Sequence, residues 1–159
     1  MEPIEPEVVM SKEEIALESE KLCRWAAARA GAIVILPLVG TGTLMINEFY
    51  MISRLASLRG VKLTEKAIAG FIGALSGKFI GQTLATMIPI PVIQIPIGIT
   101  VTYAVGKVAV AWLDRGCPDD IDGLKGVYED AKEEASRLVD ELKNSKDKDK
   151  PLGDESKKI

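Results

Sequence analysis

The stretch "FIGQTLATMIPIPVIQIPIGITVTYAVG", Phe79 to Gly106, runs for 28 residues without a charge and contains three prolines. A segment this apolar has two stable homes, the hydrocarbon of a bilayer or the buried core of a helical domain. The prolines narrow its conformation further. Each costs about 3 kcal/mol in a helix interior and pushes its predecessor towards extended geometry. "PIPVIQIP" is therefore expected as an extended connector, with Pro96 at or near the first turn of the helix that follows. That helix runs from Ile97 to about Asp114, a length of about 27 Å at 1.5 Å per residue.

Charge is segregated around this stretch. Ala30 to Leu113 holds eight charged residues, Glu48, Arg54, Arg59, Lys62, Glu65, Lys66, Lys78 and Lys107, and is net +4. The two ends sum to −7, which gives −3 for the 159 residues. One domain follows, with an apolar centre between two water-seeking ends. Mild net acidity argues against a nucleic-acid partner, which needs Lys and Arg clustered on one face. The start "MEPIEPEVVM" is acidic and lacks the basic region of an export signal. Cys23 and Cys117 are accordingly expected as reduced thiols.

Local signals divide the chain into about five helices. Residues 1–10, with Pro3 and Pro6 among three glutamates, are expected to be disordered. "SKEE" at 11–14 reads as a capping box, Ser11 and Glu14 each serving the other's backbone N–H, and opens a helix from Lys12 towards Leu36. Pro37 and the glycines of "PLVGTG" end it. A second helix covers Thr43 to Leu58, stopped by "RG" at 59–60. Thr64 caps a third, Glu65 to about Ile88. Asp119 or Asp120 caps the fifth, which ends near Asn144. Residues 11–144 make the single helical domain, and 145–159 a disordered charged tail.

In the fifth helix Ile121, Leu124, Tyr128, Ala131, Ala135, Leu138 and Leu142 are spaced 3, 4, 3, 4, 3, 4. This is a heptad seam, and it is expected to be a docking face for a partner or another copy. Gly70, Gly73, Gly77 and Gly81 punctuate the third helix. Three helical glycines on one stripe imply a close helix contact, within the chain or between copies, in the manner of a glycine zipper.

Length and charge bear on the choice of solvent. A spanning helix wants about 20 apolar residues. Ala30 to Asn47 is uncharged for eighteen residues but contains Pro37. Lys78 sits mid-helix, where a bilayer would charge about 2.5–3.5 kcal/mol. Lys107 would have to snorkel or pair. Two strained hairpins therefore fit better than four full crossings. Glu48 and Lys78 can form a buried ion pair across the second and third helices, or each can face water on a helix rim. Arg54, Arg59, Lys62 and Lys66 would make a cytoplasmic-side turn. Trp25, Tyr50, Tyr103 and Trp112 lie near the ends of apolar segments, as interfacial aromatics do.

Catalytic chemistry finds no footing. There is no histidine, which removes the commonest general base and zinc ligand. "VGTGTLM" lacks the G-K-[ST] ending of a phosphate loop. The carboxylates of residues 129–134 read as solvating charge. No catalytic residue, cofactor or metal site is expected.

"MISRLASLRGV" (51–61), the glycine-spaced helix ending in "LATMIP" (84–89) and "TYAVGKVAVAWL" (102–113) together resemble the YcjF-like domain of unknown function. The resemblance covers roughly residues 28–115. It implies a bacterial, all-helical, non-catalytic module associated with the membrane and with a GTPase, which here would act in trans.

The expectation is a non-enzymatic scaffold or adaptor at the cytoplasmic membrane with cytoplasmic termini. Its partners would be membrane lipid, further copies of itself in a homo-oligomer, and a GTPase. The competing expectation is a soluble, cytoplasmic, oligomeric helical bundle that serves as a protein-interaction module, its apolar helices covered by the first and the fifth.

Overall fold

Ser11 and Glu14 begin the first helix as their spacing requires. The Glu14 N–H donates to Ser11 Oγ (3.1 Å) and the Ser11 N–H to Glu14 Oε2 (3.0 Å). The computed structural model describes residues 10–33, 40–80 and 91–146. Five α-helices lie among them: α1 (Lys12–Ile33), α2 (Gly40–Leu58), α3 (Glu65–Leu75), α4 (Pro91–Asp114) and α5 (Lys125–Lys143). A π-helical turn, Ser76–Ile80, prolongs α3, and a 3-10 turn, Asp122–Leu124, leads into α5. The fold is all-α.

Both "RG" stops work the same way. Gly60 and Gly116 take positive φ, at 68° and 81°. Each closes its helix with paired reverse bonds, Val61 N–H to Ala56 O and Gly60 N–H to Ser57 O, and Cys117 N–H to Trp112 O and Gly116 N–H to Leu113 O. Thr64 Oγ1 accepts from the Ala67 N–H at 3.1 Å and caps α3.

The core is built around α4. It packs most extensively on α1 and α5 and less on α2. Gly106 of α4 lies against Cys23 of α1 and Met51 of α2, and Gly31 of α1 against Ile99 and Ile95 of α4. The two α1–α4 contacts set those helices antiparallel, and Met51 at Gly106 with Arg59 at Asp114 sets α2 parallel to α4. One end of the bundle therefore gathers the last turn of α1 and the first turns of α2 and α4. Phe71 of α3 stacks on Trp112 of α4 (centroids 4.2 Å apart), and Phe79 stacks on Tyr128 of α5 (5.5 Å).

Three expectations change. The prolines do not make a connector of 91–96, for α4 begins at Pro91 and runs through Pro96. Pro91 stands at the first helical position, where its missing N–H has no partner to lose. Pro96 forfeits one bond, and the close approach of Gly31 to Ile95 and Ile99 offsets it by packing. The fifth helix starts at Lys125, not at Asp119 or Asp120, because Asp120 Oδ1 instead accepts from the Asp122 N–H (2.9 Å) and turns the chain into the 3-10 segment. The heptad seam is not an open docking face. Ile121, Leu124, Tyr128, Ala131, Ala135 and Leu142 are buried and Leu138 half-buried. An apolar α4 needs cover, and this seam supplies it. The expected disorder of residues 1–9 and 147–159 and the ends of the first and third helices fall outside the described residues.

Candidate functional site

Two polar side chains in the middle of α4 form one clamp. Tyr103 and Lys107, one turn apart, reach α1 and α5 together. The Tyr103 hydroxyl faces two carboxylates, Glu20 Oε1 at 2.6 Å and Glu134 Oε1 at 2.9 Å, and is shared between them. Lys107 Nζ donates to Glu20 Oε2 at 2.9 Å. Arg24 completes the set, with Nε on Glu20 Oε1 (3.1 Å) and Nη1 on Glu141 Oε1 (3.0 Å). Burial would raise the Glu20 carboxyl, but the Tyr103 hydroxyl and the Lys107 ammonium outweigh it and hold Glu20 below its ordinary range. Burial and the two facing carboxylates push the Tyr103 phenol up, so it stays a hydrogen-bond donor. Every member is tied to another, which is the chemistry of a clamp between helices.

Beside the clamp, a cleft of about 440 Å3 runs between α1 and the lower half of α4, with Lys12, Glu20, Lys107, Arg59 and Asp114 on its walls. Two of its cations are paired, Arg59 Nε with Asp114 Oδ1 at 2.7 Å and Lys107 with Glu20. Cys23 forms part of the wall but is fully buried, and burial pushes its thiol up to about 12, where it is no nucleophile at neutral pH. Cys23 and Cys117 are both free thiols. Among the described residues no three His, Cys, Asp or Glu side chains converge to hold a metal.

The other end of the bundle is different in kind. Above Arg29 of α1 and Glu48 of α2, the described turns of α1, α2 and α4 carry no charge. Three large hydrophobic side chains are exposed among the described residues, and two of them, Met45 (56%) and Ile46 (60%), stand here. Trp25 and Tyr50 pack edge to face just below (5.8 Å), with the Arg29 guanidinium 5.3 Å over the Trp25 ring. Asn47 is fully buried and donates from Nδ2 to Ala26 O at 2.9 Å. Trp112 and Tyr103 lie elsewhere, Trp112 donating to Pro118 O near the opposite end and Tyr103 in the clamp.

The expected Glu48–Lys78 pair does not form. Lys78 Nζ reaches Asp122 Oδ1 at 2.7 Å, both groups being solvent-accessible, so an exposed partner is cheaper to pair with than a buried one. Glu48 shares the core register of Ile52 and Leu55, and burial raises its carboxyl to about 7. Gly70, Gly73 and Gly77 are exposed, and a Cβ built on any of them meets nothing within 4 Å. They are not packing glycines within the chain. Gly81 lies outside the described residues. Gly31 and Gly106, by contrast, do mediate close packing. The clamp itself was missed, apart from its signal in α4: Tyr103 and Lys107 at i, i+4 in an otherwise apolar helix.

Among the described residues one helical stretch, Ile95–Asp114, is long and apolar enough to cross a membrane, and 61% of it is buried inside the bundle. No family model, no curated protein and no solved structure matches the chain. None of them therefore bears on the resemblance to the YcjF-like domain.

Proposed function

We propose that the protein is a non-enzymatic membrane adaptor, a water-facing helical bundle held at the bilayer by its uncharged end. The observation that carries this reading is the position of Met45 and Ile46, exposed at an end of the bundle where the neighbouring turns of α1, α2 and α4 have no charge. Length sets the depth. From Pro91 to Thr102, α4 rises about 18 Å before the clamp begins, against one leaflet of about 15 Å in a hydrocarbon core about 30 Å thick. A full crossing by α4 would drag Lys107, Glu20 and the acidic face of α5 into lipid, and α5, which climbs beside α4 from the Glu134–Tyr103 contact to Lys143, confines insertion to the first turns of α4. Lys78, in the turn that prolongs α3, pairs with Asp122 beyond the far end of α4 and keeps its charge on the wet side.

On this reading the outer faces of α1 and α5, rich in Glu, Lys and Arg, are left for a soluble partner. A GTPase acting in trans, which the sequence resemblance implies, would dock there.

Flotation of the full chain with phospholipid vesicles tests the proposal. The wild-type protein should rise with the vesicles. Met45→Lys with Ile46→Lys should weaken binding on the order of 100-fold per inserted lysine. Leu17→Lys, at the third exposed hydrophobic (57%) but in the opposite half of the bundle, should float like wild type. Wild-type protein that stays at the bottom as a discrete oligomer would sink the membrane reading in favour of a soluble bundle.

A further inference from the structure

The outer face of α3 bears a furrow that the fold itself does not use. Met45, Ile46 and Phe49 of α2 face Ala69, Ile72 and Gly73 of α3 across a groove of about 320 Å3, and Ser76 is its one polar side chain. This is the lower end of the size range of small-ligand pockets. Lys66, Gly70, Gly73 and Gly77 follow at i, i+4, i+7 and i+11, so they share one helical stripe. The three glycines are open to solvent, and no neighbouring atom would stop a side chain there. Each sacrifices about 0.5–1 kcal/mol of helix stability against alanine, and no contact among the described residues compensates it. What they provide is a smooth, shallow wall beside an apolar groove.

Two features select the occupant. The upper end of the groove is formed by Met45 and Ile46, so it is continuous with the uncharged end of the bundle. On the glycine stripe that bounds the groove, Lys66 stands about 10 Å before Gly73 along the helix, and Lys62 lies in the turn preceding α3. Both lysines are exposed. An apolar trough with cations at its foot matches an apolar chain with an anion at its head.

We infer that the α2–α3 groove seats one acyl chain of an anionic phospholipid from the bilayer, with Lys66 and Lys62 holding the headgroup phosphate. The inference rests on the proposed lipid contact of the uncharged end and specifies its ligand. The bilayer's hydrocarbon supplies non-selective adhesion, and the groove supplies a preference for anionic lipid.

The experiment uses the full-length chain on vesicles of phosphatidylcholine, with and without one part in four of phosphatidylglycerol carrying a photoactivatable acyl chain. Cross-links mapped by mass spectrometry should fall on Met45, Ile46, Phe49 and Ile72. Gly73→Leu fills the groove at a site with no neighbour to clash, so it should fold with an unchanged or higher melting temperature, still float with vesicles, and lose those cross-links. Lys66→Gln should bind the anionic vesicles about fivefold more weakly and the neutral ones equally well. Vesicle binding that persists with cross-links elsewhere, or unmoved by Gly73→Leu, overturns the groove while leaving the membrane reading intact. No vesicle binding at all defeats the membrane reading and the groove with it. A lipid-free dimer that Gly73→Leu dissociates would instead make the groove an interface between copies and overturn the lipid assignment.

Discussion

Glu48 and Glu20 are two carboxyls of one bundle displaced in opposite directions. Glu20 is held low because Tyr103 and Lys107 outweigh its burial, so its contribution to stability is lost as pH falls through its ordinary range. Glu48 has only burial acting on it and is raised from 4.5 to about 7. Its sign is the reverse: the folded state binds the extra proton, and stability declines as pH rises from about 4.5 through 7. The full displacement corresponds to about 3 kcal/mol at 1.36 kcal/mol per unit. Glu48→Gln should remove that decline, so urea unfolding midpoints of the variant should be flat between pH 5 and 8 where wild type falls. An identical slope in both would mean that Glu48 is not desolvated. Glycines at this scale divide just as cleanly. A Cβ at Gly106 would stand 2.6 Å from Cys23 Sγ and 2.9 Å from Met51 Sδ, so Gly106→Ala should cost about 1–3 kcal/mol. Gly73→Ala, with open space around it, should stabilise by about 0.5–1 kcal/mol. Thermal unfolding of the pair should shift in opposite directions.

Between elements, the clamp on α4 does what an apolar helix cannot do alone, which is to fix the register of α1 and α5 around it. Tyr103→Phe, which removes the shared hydroxyl, should destabilise by about 1–2 kcal/mol. Lys107→Met should cost more than Arg137→Ala, because the Lys107–Glu20 pair is two-thirds or more shielded, whereas Arg137 and Glu133 are 72% and 75% exposed. Equal effects in chemical denaturation would mean the clamp is ornamental. How far each element was legible from sequence follows from the range of its interactions. The capping box at Ser11, the Thr64 cap and the "RG" stops were readable because their partners lie within a few residues. The heptad periodicity of α5 was readable too, but not its target, since periodicity marks a buried face without saying what buries it. Tyr103 meets Glu20 across 83 residues and Glu134 across 31, and Glu134 sits in a run of carboxylates that sequence cannot distinguish from solvating charge. Pro96 misled because a proline's cost is local while the packing of Ile95 and Ile99 on Gly31 that offsets it is not.

At the scale of the whole molecule, an apolar centre between charged ends in sequence becomes a bundle with a charged body, in which the described turns of α1, α2 and α4 at one end carry no charge. Of the two meanings the glycine stripe carried in sequence, packing within the chain or between copies, Gly70, Gly73 and Gly77 lose the first, since they line open space. Of the stretch Phe79–Gly106, the described turns of α4 divide between two settings. Its lower turns in α4 are wrapped by α1 and α5, and its upper turns belong to the end we assign to lipid. The most direct measurement of that assignment is cysteine accessibility to a membrane-impermeant maleimide, in a Cys117→Ser background where Cys23 is buried. Ile46→Cys should label in solution and be protected on vesicles, while Ser136→Cys on the outer face of α5 should label equally in both. Ile46→Cys labelling at the same rate with and without vesicles would contradict the account.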